Sequence, residues 1–251
     1  MRILFPKNIF CRILFQALPE DLKNQIEFKE ASMISNELEK ENADLALVPS
    51  CDIIKHPHFF ISKNIGISFD GQLSNSYIYF IPRQNKFEEL FLGGDVTSNE
   101  VLLSKILFKE RYSSDIEIQL AAGEQNKTRN FLFTGDLNFV NEKYLEGLSF
   151  ADELSTMLFL PYVNFIVVSN EEKNIHNLNN SISDLDDRIE KNLNSILNKL
   201  DLTSQQISFI KENFNSVYFE MTENELEGLT ELIRLPYYHG IVDEMIDLKF
   251  V

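Results

Sequence analysis

Over residues 1–169, short apolar runs of strand character alternate with stretches whose apolar residues fall at helical spacing. After Ser169 the strand signals nearly stop. A chain that alternates in this way builds a largely parallel sheet with crossover helices, so the expected class is α/β. Expected strands are Arg2–Phe5, Ile26–Glu30, Leu45–Val48, Tyr77–Ile81, Glu89–Leu92, Ile116–Leu120, Asn130–Phe133 and Phe165–Val168. Between them Ser35–Glu41, Ser98–Arg111 and Phe150–Phe159 read as helices, the second opened by Thr97 or Ser98 as N-cap and the third stopped by Pro161.

From Asn170 to Val251 there are 7 basic and 16 acidic residues. Ile182, Leu185, Ile189, Leu193, Ile196 and Leu197 recur at helical intervals, which predicts an amphipathic helix over Ile182–Leu200. Thr203–Asn213 and Thr222–Ile233 read as further helices, whereas the Asn-rich stretch Asn174–Asn180 reads as a loop. Two strand-rich blocks and a returning helical tail predict two lobes. One combines residues 1–80 with 170–251, the other spans 81–169, and the crossings fall near Phe80–Arg83 and Val168–Asn170. Ligands of such folds bind at strand ends, in the crevice between lobes.

The 39 acidic residues against 23 basic ones give a net charge of −16, which repels phosphate backbones and anionic lipid, so neither nucleic acid nor membrane is an expected partner. No apolar run approaches the ~18 residues of a membrane-spanning helix. Near the N-terminus, Pro6, Lys7, Asn8 and Arg12 interrupt the apolar stretch that a secretory leader needs, so a strand, a turn and a helix are expected there and the protein is read as cytoplasmic. Cys11 and Cys51 are too few for a disulfide scaffold and suit a reducing compartment, with one bridge left open.

Familiar catalytic spacings are missing: there is no Gly-rich phosphate loop, G-x-S-x-G, H-E-x-x-H or C-x-x-C. His56 and His58 flank Pro57 and suit a surface turn better than a metal site, because no third ligand is near in sequence. The strand-end loops carry small neutral donors instead. These are Val48-Pro49-Ser50, the run Ser68 to Ser76 with Gly71, Ser74 and Asn75, the run Gly93 to Ser98, and Thr134-Gly135-Asp136. Hydroxyls, amides and free N–H groups at a helix start hold a carboxylate where no Arg is at hand, and they also serve ordinary turns.

At these residues the sequence resembles the chorismate dehydratases of the futalosine route to menaquinone, which have the two-lobed fold of type II periplasmic solute-binding proteins. Asp44-Leu45 through Pro49-Ser50 looks like that family's Asp-Leu-x-x-x-x-Pro-x-Ser region. Ile67-Ser68-Phe69-Asp70-Gly71 is similar to its Ile-x-x-Asp-Gly segment, with Gln72 where proline is usual. Thr97-Ser98 and Glu110-Arg111-Tyr112 bracket a similar helix, and Gly135-Asp136, Leu160-Pro161-Tyr162-Val163 and the stretch Tyr218 to Leu229 follow in the family's order. Asn8 stands where the family opens with Asn-Ser/Thr-x-Pro, although Ile9-Phe10-Cys11 lack the hydroxyl and the proline. The chain has no Trp, and Leu158-Phe159 occupy the usual Thr-Gly.

The resemblance implies a divergent member with a helical C-terminal layer that removes water from chorismate to give 3-(1-carboxyvinyloxy)benzoate. No metal or organic cofactor is called for, and the partner is a small anionic substrate. Thr97 and Ser98 would hold one carboxylate, Ser50 with Ser74, Asn75 and Ser76 the other, and Asn8 would orient the reacting group. Gly71 and Asp136 complete the candidate contacts, Asp136 also suiting a structural turn. The alternative is a non-catalytic cytoplasmic binder of a small aromatic or carboxylate ligand on the same scaffold.

Overall fold

The computed structural model describes residues 1–84, 86–121 and 128–251. In chain order the elements begin with β1 (Ile3–Pro6), α1 (Ile9–Ala17), α2 (Glu20–Lys23), β2 (Ile26–Lys29), α3 (Ala31–Glu39), β3 (Leu45–Pro49) and β4 (Phe60–Phe69). There follow β5 (Ser76–Tyr79), β6 (Glu89–Gly94), α4 (Ser98–Tyr112), β7 (Glu117–Leu120), β8 (Phe131–Thr134), β9 (Leu148–Ser149) and α5 (Phe150–Leu158). The chain closes with β10 (Tyr162–Ser169), α6 (Glu172–Ser181), α7 (Leu185–Leu197), α8 (Ser204–Asn213), β11 (Val217–Glu220), α9 (Glu223–Tyr238) and β12 (Lys249–Phe250). Single 3-10 turns fill Ser50–Ile54 and several later loops.

The first sheet runs β11-β4-β10-β3-β1-β2, with β12 added against β4. Its strands β1 and β3 pair in parallel, β10 lies antiparallel to both β3 and β4, and β3 and β10 are buried at every position. Such continuous burial explains their unbroken apolar sequences, α3 packing on β3 and α6 and α9 on β10. The second sheet, β7-β6-β8-β5-β9, is drawn wholly from residues 76–149. The chain therefore changes sheets at 70–75 and again at 150–161. Crossings near Phe80–Arg83 and Val168–Asn170 would leave β5 in the first sheet and β10 in the second. Register decides otherwise, because β5 pairs with β8 and β9 while β10 pairs with β3 and β4.

Two glycines make close backbone approaches possible. Gly94 ends β6 with φ +86, and a Cβ there would lie 1.9 Å from the Thr134 carbonyl oxygen, so β6 and β8 close up only over a bare backbone. Gly228 lets α9 approach the second crossing, since its Cβ would fall 2.5 Å from the Pro161 carbonyl oxygen. Two features depart from the sequence reading. The Asn-rich stretch after Glu171 is helical in α6, which buries Ile175 and Leu178 at i and i+3. The C-terminal region also contributes two strands, β11 and β12, both paired with β4. Cys11 and Cys51 are free and buried.

Candidate functional site in the crevice between the sheets

Where the halves face each other, the first contributes the starts of α1 and α3 and the 3-10 turn Ser50–Ile54. The second contributes the loop Asp95 to Thr97, the start of α4, and the ends of β5 and β8. Thr97 caps α4 in a reciprocal capping box with Glu100. The Glu100 carboxylate, fully buried, accepts from Thr97 N–H (2.9 Å), Thr97 Oγ1 (2.7 Å) and Ser76 Oγ (2.8 Å). Burial pushes its pKa up against those hydrogen bonds. Thus Ser76 and Thr97, both expected to hold a ligand carboxylate, are bonded to a carboxylate of their own chain.

Asn8 is buried as the N-cap of α1, its Oδ1 accepting from Cys11 N–H at 2.9 Å. Asp136 reaches over from the end of β8, accepts from Ile9 N–H at 2.8 Å through Oδ1, and pairs through Oδ2 with Arg12. Burial raises the Asp136 pKa and Arg12 opposes that shift. Asn8 and Asp136 are therefore brought together at the start of α1. Ser50 Oγ is fully buried and donates to the Val163 carbonyl at 2.7 Å. Ser74 Oγ donates to the Ser76 carbonyl at 2.7 Å and accepts from Ser76 N–H, which holds the first crossing in a turn. Gly71 packs against Ser216, where a Cβ would come within 2.9 Å of that side chain. Asn75 is buried, and its backbone carbonyl accepts from Gly135 N–H at 2.8 Å.

Three residues at the crevice escaped the sequence reading. Asp52 accepts from Ser35 Oγ and Ser98 Oγ, one hydroxyl on each oxygen. Asn99 joins the halves: its Oδ1 accepts from Cys51 N–H (2.8 Å) and its Nδ2 donates to the Asn164 carbonyl (2.8 Å). Asp95 accepts from Ala31 N–H and from Ser32 N–H (3.2 Å). For Asp95 the signal available was faint, an acidic residue after the Gly-ended β6, and for Asp52 and Asn99 the distant partners left no mark in sequence.

A cavity of about 340 Å³ opens beside this cluster. Its first wall is Ser32, Ser35 and Asn36 of α3 with Asp52, Lys55 and His56, and its second is Val96, Thr97, Ser98, Val101, Leu102 and Leu120. Of the expected site residues, Thr97 and Ser98 line it and the others lie elsewhere. Asp52 and Lys55 both face the cavity without pairing with each other. His56 and His58 each meet Glu39, at 2.9 and 3.0 Å, and among the described residues no group of three His, Cys, Asp or Glu is placed to hold a metal ion. No helix of the described residues is long and apolar enough to cross a membrane.

Two sheets joined by two crossings, with a crevice between them, define the periplasmic-binding-protein fold, and solved structures agree. Protein AF1704 from Archaeoglobus fulgidus superposes with a TM-score of 0.63 at 10% identity, covering 96% of this chain and 98% of that one. The Candida albicans CA3427 gene product, described as having the generic periplasmic binding protein fold, gives 0.61 at 11% identity over 97% and 91%. The alkanesulfonate-binding protein of Xanthomonas axonopodis pv. citri, bound to MOPS, gives 0.60 at 9% identity over 98% and 95%. No family model and no curated protein sequence matches the chain.

Proposed function

We propose that the protein binds a small organic ligand in the cavity between α3 and the start of α4. One observation carries the reading. The cavity is open volume walled by both halves of the clamshell, whereas the hydroxyls of Ser76 and Thr97 are already taken by Glu100 and the N–H groups at the starts of α1 and α3 by Asp136 and Asp95. Its volume of about 340 Å³ falls at the lower end of small-ligand sites. Val96, Val101 and Leu102 offer an apolar wall, the Asp52 carboxylate takes a hydroxyl or ammonium group, and Lys55 at the rim takes a carboxylate.

Chorismate dehydration is the second reading, favoured by the convergence of Asn8 and Asp136 at the start of α1. There Asn8 would orient the departing C4 hydroxyl, and a substrate carboxylate would take the C3 proton. A dianion at that point would displace Asp136 from Arg12 and Ile9 N–H, and it would lie beside the negative charge of Asp136.

One experiment separates the two. Melting temperature is followed with a set of small hydroxy acids, amino acids and aromatic acids that includes chorismate, and the chorismate sample is analysed by mass spectrometry. A ligand at 100 times its Kd raises apparent stability by about 2.7 kcal/mol, a shift readily seen. The binding reading expects a shift without product, lost in Leu102→Trp, which fills the cavity. Formation of 3-(1-carboxyvinyloxy)benzoate above the protein-free control would replace it with the dehydratase. A ligand shift that survives Leu102→Trp would move the site elsewhere.

A further inference from the structure

The first N–H groups of a helix have no partner within the helix and attract negative charge. In the first half, α1 and α3 both point such ends at the crevice. Helix α3 has no cap of its own, since the Glu30 side chain at its N-cap accepts from Lys7 and caps no N–H of the helix. The missing acceptor comes from the other half: Asp95, between β6 and α4, receives Ala31 N–H and Ser32 N–H. At α1, Asn8 satisfies Cys11 N–H but leaves Ile9 N–H, and Asp136 after β8 takes that group together with the Arg12 guanidinium. Two carboxylates of the second half thus sit on two helix starts of the first, 64 and 127 residues away in sequence.

We propose that Asp95 and Asp136 are a latch that holds the two halves of the clamshell closed. Each joins a loop of the second half to a helix start of the first. Asn99 also joins the halves, but its partner Asn164 is itself two residues into β10, next to the second crossing, so on this proposal Asn99 is the pivot. Opening breaks the carboxylate contacts at the starts of α1 and α3 and leaves those of Asn99. On the proposed binding function, on which this consequence rests, exchange of ligand waits on release of the latch.

Small-angle scattering and amide exchange by NMR test this on the whole chain. The wild-type protein without ligand is expected to have a radius of gyration near the ~18 Å of a compact chain of this length, and the Asp95→Ala, Asp136→Ala double variant a clearly larger one. Protection of about tenfold or more is expected at Ile9, Ala31 and Ser32 in the wild type, groups that no intrahelical bond can protect. Asp136→Ala should remove it at Ile9 alone, and Asp95→Ala at Ala31 and Ser32 alone. A folded double variant of unchanged radius would overturn the latch, and so would fast exchange at these three amides in the wild type. The second measurement needs no variant, so it decides the matter even if the double variant does not fold.

Discussion

Glu100 shows how much a single buried side chain can organise. Its carboxylate satisfies a backbone N–H and two hydroxyls from both the α4 start and β5. Glu100→Ala would strand those donors in the interior, and a loss of about 3 kcal/mol or more is expected from urea unfolding. Glu100→Gln, which keeps one acceptor, should cost much less. Asp186 supplies a pH test. Although it accepts from Phe219 N–H and Glu220 N–H, burial raises its pKa to about 6. A carboxyl raised in the folded state binds its proton more tightly there than in the unfolded chain, so its contribution to stability falls as pH rises from about 4 to about 6. The melting temperature of Asp186→Asn minus that of the wild type should therefore climb across that window and then level off. A flat difference would mean that Asp186 ionises normally. At this scale Thr97 and Ser98 were legible because a hydroxyl before a helical pattern is a cap. Asp52, Asp95 and Asn99 were not, because each is defined by a partner on the opposite half.

Among elements, the legible ones are those whose burial is uniform. Strands β1, β3 and β10 are buried throughout and read as apolar runs. Strand β4 is central yet was missed, because Lys63-Asn64 and Gly66 interrupt its pattern where its pairing with β10 and β11 shifts register. Helix α6 was hidden by composition, with few apolar residues among its ten. Helix α3 begins at Ala31, ahead of the expected Ser35, and no local cap could have announced a start that Asp95 supplies from afar. Helix α9 belongs to the sequence-legible class through its Thr222–Glu225 capping box, but its closeness to the crossing rests on Gly228. Gly228→Ala improves helix propensity and still should destabilise by about 1–3 kcal/mol, since the added methyl meets backbone at Pro161. A neutral or stabilising result in thermal unfolding would show that α9 can shift outward.

For the molecule as a whole, the α/β class and the two-part design were readable from alternation, but the crossing points were not. Pairing register sets those, and Tyr77 in β5 looks the same in sequence whichever sheet receives it. The whole-molecule behaviour has a native probe in Cys11 and Cys51. Cys11 lies one turn into the helix that Asp136 holds, and Cys51 N–H is bonded to Asn99 across the halves. Burial takes both thiols well above their ordinary pKa and out of reach of solvent. An aromatic disulfide reagent should therefore release almost no colour from the native protein and two equivalents in denaturant, and rapid labelling of the native chain would contradict the burial. The two sulfurs turn the interior into a clock: how fast they become labelled counts how often the molecule exposes its interior, with no foreign tag attached.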